Sequence, residues 1–370
     1  MVEPPRRTRR LLLAFLVPLT IGNHSSSGLS EEDRVDEYRA RGHAWPPRRS
    51  DYVPPDPGWS ALLGRRFDQL SQIVDIDAKY NGYMSVVHSA LLAPNFTEYG
   101  WGLTRAPSDL VRALEDNLKR GLESKDTPEE YQPFGVLEEY PLYLPLMIPN
   151  VELNRRAMVE LKDIHEAWSG ISLVPNNAYG LRVYRNQSKL LMHVDESRTH
   201  VISSILHVGH DPDGVPWPLI IEDLHGNTNE VYLEAGDMLL YESSKCFHGR
   251  PTRYIGGWYS SLFTHYYPVD WDADSIVMDA HYRVPPEWNE VPEERKDAGR
   301  DEGASGGDPT ELVVTETSFN EPDCEHGWCN LVDTIKWERP EGLEFGQVLS
   351  GDGKVRSLGL DSPLGGEEEL

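Results

Sequence analysis

Apolar residues recur at helical spacing in three stretches: "SALLGRRFDQLSQIV" (60–74), "APSDLVRALEDNLKRGL" (106–122) and "NVELNRRAMVELKDIHEAWSG" (150–170). The i, i+3, i+4 pattern predicts amphipathic helices, with Ser108 as an N-cap and Gly170 as a stop. From Ile171 the texture changes. "YGLRVYR" (179–185), "THVISSILHV" (199–208), "PLIIED" (218–223), "NEVYLEAGDMLLYES" (229–243) and "WYSSLFTHYYP" (258–268) are short β-rich runs between Gly, Pro, Asn and Asp clusters. That is the signature of an antiparallel sandwich or barrel. Helices followed by one compact β domain make an α+β chain, with the β domain and its leading helix spanning 150–268.

The flanks read differently. Residues 46–149 hold a Pro/Arg-rich linker and the first helices. The region 269–370 is expected to be acidic and largely disordered, with a candidate small module at 311–346. Of the net charge of −26, a net −15 (22 acidic against 7 basic) falls between Pro286 and Leu370. That field repels phosphate backbones and argues against nucleic-acid partners. At the start, "RRTRR" runs into "LLLAFLVPLTIG" and then "NHSSSG". This pattern, within residues 1–45, predicts a signal peptide or anchor and a place in the endoplasmic reticulum or Golgi lumen; an organellar transit peptide is the competitor. Sequons at Asn23, Asn95 and Asn186 fit the secretory route weakly. Three cysteines exclude a disulfide-built scaffold: Cys246 reads as a buried thiol, and Cys324 with Cys329 as a pair or a metal clip.

The candidate chemistry lies in "KLLMHVDESRTH" (189–200), where His193 and Asp195 stand at i and i+2 of a strand-like run and share one face. A third ligand must come from elsewhere. His248, after the strand "DMLLYES", is the candidate. Two imidazoles and one carboxylate can cap one face of Fe(II) and leave positions open. His200, His207, His210, His225 and His265 compete as ligands; His200 and His207 fall in a strand-like run where satisfied structural histidines are the commoner outcome, and His210, next to a "DPDG" turn, reads as solvated. No P-loop, G-x-G-x-x-G, G-x-S-x-G or H-E-x-x-H occurs, so phosphoryl transfer, nicotinamide redox and the commonest hydrolases lack support.

Around this constellation the chain resembles the prolyl 4-hydroxylase-like branch of the Fe(II)/2-oxoglutarate dioxygenases. Tyr184 precedes His193, the Gly236-Asp237 turn leads to the strand before His248, and Pro251, Gly256 and Trp258 follow. The resemblance covers roughly 150–268 and implies a double-stranded β-helix (jelly roll) flanked by N-terminal helices. It implies Fe(II) held by His193, Asp195 and His248, 2-oxoglutarate as cosubstrate with Tyr184 at its site, and L-ascorbate as the protecting reductant. The implied reaction is hydroxylation of an unactivated C–H by dioxygen with release of succinate and CO2. The leading substrate is a prolyl residue in a polypeptide, with other protein residues or a small molecule open. Such proteins carry a Lys between that Gly and Trp to pair the far carboxylate of 2-oxoglutarate, whereas here Gly257 stands there. Arg250 is the first replacement, Lys189 the second, sharing the face of His193 by period-two counting, and Arg253 a third. Two rivals follow: a scaffold that kept the triad and lost the anchor, and a cupin-like Zn(II) or Mn(II) protein without 2-oxoglutarate.

Overall fold

The computed structural model describes residues 56–71, 90, 93–130, 137–138, 144–271 and 334–360. The leader, the 285–311 linker, Asn23 and the Cys324/Cys329 pair lie outside the described residues. Among the described residues no helix is long and apolar enough to cross a membrane.

In chain order the elements are α1 (Pro57–Ser71), β1 (Trp101–Arg105), α2 (Ser108–Glu123), β2 (Leu137–Glu138), β3 (Leu146–Met147), α3 (Val151–Glu160), α4 (Lys162–Ser169), β4 (Leu173–Arg185) and β5 (Lys189–His193). There follow β6 (Ile202–His210), β7 (Leu219–Glu222), β8 (Thr228–Val231), β9 (Asp237–Tyr241), β10 (His248–Arg250), β11 (Trp258–Pro268), β12 (Ile335–Trp337), β13 (Gln347–Ser350) and β14 (Val355–Ser357). Strands β4 to β11 divide between two sheets, with the antiparallel orders β9-β6-β11-β4 and β8-β7-β10-β5. That order is a double-stranded β-helix, the jelly roll expected from the sequence.

Alternation along each strand builds the layers. In β9, Met238 and Leu240 join the helix-side cluster with Leu110, Leu114 and Leu118 of α2, while Leu239 and Tyr241 join the other cluster with Tyr184 and Ile205. A period of two sends these sets to opposite faces of the larger sheet. Helices α2 to α4 thus cover one face and leave the other for the interior. Against the smaller sheet, Arg66 of α1 meets Glu222 of β7 at 2.7 Å, both fully buried.

Several expectations need correction. The helix read over 150–170 is two, broken at Leu161, whose backbone (φ −92, ψ −7) departs from helical values although its N–H still bonds Ala157 O, its carbonyl still accepts from His165 N–H and it stays buried. Gly170 does end the second in the left-handed region (φ 73), where its N–H bonds Glu166 O. Ser108 is the first helical residue rather than the cap; Pro107 holds the cap position and no side chain caps the helix. The β architecture also outruns 150–268 on both sides. β1 lies between β9 and β13, and β12 pairs in parallel with β8. The strands within 335–357 therefore join the two sheets; of the candidate module at 311–346, residues 311–333 lie outside the described residues. Strands of three or four residues in a strongly acidic stretch carry too few apolar positions for periodicity to register.

Candidate metal centre

The smaller sheet brings the two histidines together. β10 runs antiparallel to β5 with His248 directly opposite His193, and their ring centroids are 4.4 Å apart. Asp195 follows the end of β5, where its backbone N–H bonds Ser243 O at 2.8 Å. Its Oδ1 lies 3.5 Å from His193 Nε2 and 3.7 Å from His248 Nε2. One ligand atom from each residue falls within 4.8 Å of the others. His193, Asp195 and His248 thus converge as the spacing suggested.

The electrostatics suit a cation. His248 Nδ1 is 2.9 Å from Cys246 O, and a carbonyl can only accept, so Nδ1 carries the proton and Nε2 offers a lone pair. Burial, then the neighbouring His193, push His248 down to about 4, so it is neutral at ordinary pH. Burial would raise the Asp195 carboxyl. The His248, His193 and His265 imidazoles outweigh it and hold Asp195 below the usual carboxylate range. Asp195 Oδ2 is buried with no hydrogen-bond partner among the described residues. Two imidazoles, an ionised carboxylate and no thiolate fit Fe(II) with open positions.

Two residues beyond His248 on β10, and so on the same face, Arg250 is fully buried. Its guanidinium lies over the rings of Trp217 and Tyr259 at 5.0 and 4.8 Å. Nη2 donates to the Tyr259 hydroxyl at 3.3 Å and Nε to Trp217 O at 3.4 Å, while Nη1 has no partner among the described residues. Tyr184 is buried with its ring edge-on to Trp217, and its hydroxyl accepts from Arg182 Nη1 at 3.3 Å.

The other anchor candidates fall away. Two residues of β10 span three of β5, since Arg250 faces Leu190 while His248 faces His193. That bulge gives Leu190 the face that period-two counting assigned to Lys189. Lys189 is half-buried opposite Glu138 of β2. Arg253 donates to Gln187 O. Gly257 sits in an exposed turn with its N–H on Asp211, and a Cβ there would meet the Asp211 carboxylate at 2.7 Å. Glu242 is also structural, accepting from the Phe96 and Thr97 backbone and the Thr97 hydroxyl.

Trp217 is buried and donates to Thr252 O. Tyr259, Tyr241 and Arg182 also face this interior and were not singled out by sequence. The alternation in "WYSSLFTHYYP" is the signal that would have found Tyr259.

Neither a family model nor a curated protein matches the chain. Among solved structures it is similar to a Pseudomonas putida prolyl-4-hydroxylase (16% identity, 46% of this chain and 93% of that one, TM-score 0.35). It is also similar to HygX from Streptomyces hygroscopicus, solved with nickel, 2-oxoglutarate and hygromycin B (13%, 47% and 84%, TM-score 0.36). A third is an oxidoreductase of the 2OG-Fe(II) oxygenase family from Burkholderia pseudomallei (12%, 45% and 84%, TM-score 0.33).

Proposed function

We propose that the protein is an Fe(II)- and 2-oxoglutarate-dependent dioxygenase that hydroxylates an unactivated C–H, with a prolyl residue of a polypeptide as the leading substrate. One observation carries the reading: beside a His-Asp-His triad, on the strand of its ligand His248 and two residues, about 7 Å of strand, away, lies a buried guanidinium with a donor vacant among the described residues. His193, Asp195 and His248 would hold the metal. Arg250 Nη1, with the Tyr184 and Tyr259 hydroxyls, would take the far carboxylate of 2-oxoglutarate.

Bound iron and 2-oxoglutarate would supply the dioxygen-driven oxidation, and ascorbate would keep the metal reduced. The chain supplies the rest. His248 presents Nε2 because Cys246 O holds the proton on Nδ1. Asp195 stays ionised beside three imidazoles. The Trp217, Tyr254 and Tyr259 rings wall the interior around Arg250, where exclusion of water strengthens its hold on an anion.

The scaffold reading rested on Gly257, and in the proposed site Arg250 would supply the cation that position lacks. Purified protein given Fe(II), ascorbate and labelled 2-oxoglutarate should release CO2 well above an Asp195→Ala control. Iron binding without any turnover would favour the scaffold. Turnover-free binding of Zn(II) or Mn(II) in preference to Fe(II) would favour the cupin-like rival. A secretory-pathway location is proposed from the leader alone, and imaging the tagged full chain tests it.

A further inference from the structure

The two oxygens of Asp195 face different neighbours. Oδ1 is the one near both ligand nitrogens, whereas Oδ2 turns to His265 Nδ1 at 3.8 Å. His265 lies on β11 directly opposite Ser203 of β6, and its Nδ1 is 2.8 Å from Ser203 Oγ. Ser203 Oγ is 2.6 Å from Ser243 Oγ, which is 2.7 Å from His200 O.

That chain has a direction. The His200 carbonyl can only accept, so the Ser243 hydroxyl donates to it. Ser243 Oγ then accepts from Ser203, and Ser203, its one proton committed, accepts from His265. The proton of His265 therefore sits on Nδ1, the nitrogen that faces Asp195 Oδ2. Ser243 serves both ends, since its own carbonyl holds the Asp195 backbone N–H at 2.8 Å.

We propose that His265 is a positioning residue for the metal-binding carboxylate: its Nδ1–H, donated to Ser203 Oγ at 2.8 Å, is turned toward Asp195 Oδ2 at 3.8 Å, and that dipole's attraction holds Oδ2 away from the metal so that Asp195 offers Oδ1. This rests on the metal-centre reading above. A carboxylate without this restraint can rotate or chelate with both oxygens, and partners of this kind change metal affinity by about 10–100-fold. Ser203 acts one step further out, by fixing the direction of the His265 ring.

The test is a titration of the metal-free protein with Co(II), followed by visible absorbance, with thermal unfolding as the check on folding. His265→Ala should weaken Co(II) binding by about 10–100-fold and alter the absorbance spectrum. His265→Asn, whose amide can donate from nearly the place of Nδ1, should recover most of the affinity. Ser203→Ala should fall between them, and it carries the test if His265→Ala does not fold. Unchanged affinity and spectrum in His265→Ala, or in Ser203→Ala should only that variant fold, overturn the inference. His265→Asn as poor as His265→Ala would make His265 a ligand and overturn it too. Wild-type protein that binds no cobalt would instead overturn the metal-centre reading on which it stands.

Discussion

Two buried arginines face the interior of the jelly roll, and their surroundings are opposite. Arg182 on β4 is fully committed: Nε and Nη2 grip both oxygens of Glu130 at 2.7 and 2.6 Å, and Nη1 reaches the Tyr184 hydroxyl. Burial works against its charge, yet the Tyr184 hydroxyl and the Glu130 carboxylate outweigh it and raise Arg182 well above the usual range. The Tyr179 hydroxyl donates to the same carboxylate. Arg250 on β10 is as deeply buried but, among the described residues, meets only two aromatic faces, a hydroxyl and a carbonyl, with Nη1 vacant. A buried cation is costly unless an anion meets it. Arg182 has its anion within the chain and reads as structure; Arg250 lacks one and reads as a site.

The largest expected effect sharpens that contrast in stability. Glu130→Ala leaves Arg182 buried without its carboxylate and should cost about 3–5 kcal/mol in urea unfolding. Arg250→Met removes a cation that has no internal partner, so the metal-free protein should be as stable as the parent or more so. Equal losses in both variants would erase the distinction between the two arginines.

A middle-sized effect concerns Arg66 and Glu222, the buried pair that joins α1 to the smaller sheet at 2.7 Å. Glu222→Gln keeps the shape and removes the charge, so unfolding should cost about 3 kcal/mol while Co(II) affinity at the triad stays unchanged. A matching loss of metal affinity would tie α1 to the site.

The smallest effects are expected at two of the other positions that the sequence singled out. Lys189→Ala and Gly257→Lys should each leave 2-oxoglutarate affinity within about twofold, less than 0.5 kcal/mol. A large gain in Gly257→Lys would mean that the anchor belongs there after all.

What could be read in advance follows from the physics of each feature. His193 and Asp195 declared themselves through i, i+2 spacing on a strand, and the Gly236-Asp237 turn before β9 marked the approach to His248. Gly236 sits at φ 83, a conformation that glycine adopts without strain. Arg250 was legible as a basic residue on the distal ligand's own strand. Lys189 was misplaced because a bulge has no sequence signature of its own, and one extra residue reverses every face before it. Glu130 and Arg182 stand 52 residues apart with no periodic relation, so their pairing exists only in the fold. His265 was visible as a histidine on a strand, but its direction toward Asp195 depends on Ser203 and Ser243, from two other parts of the chain.

The central claim is that Arg250 completes a cosubstrate site beside the triad. It is tested most directly by anaerobic calorimetric titration of 2-oxoglutarate into Co(II)-loaded wild type, Arg250→Met and Glu130→Ala. The site predicts metal-dependent binding in wild type and an affinity lower by about 10–100-fold in Arg250→Met, the loss of a charge-assisted pair worth about 1.5–3 kcal/mol. Glu130→Ala should lose much less. Binding by Arg250→Met as tight as wild type would contradict the account.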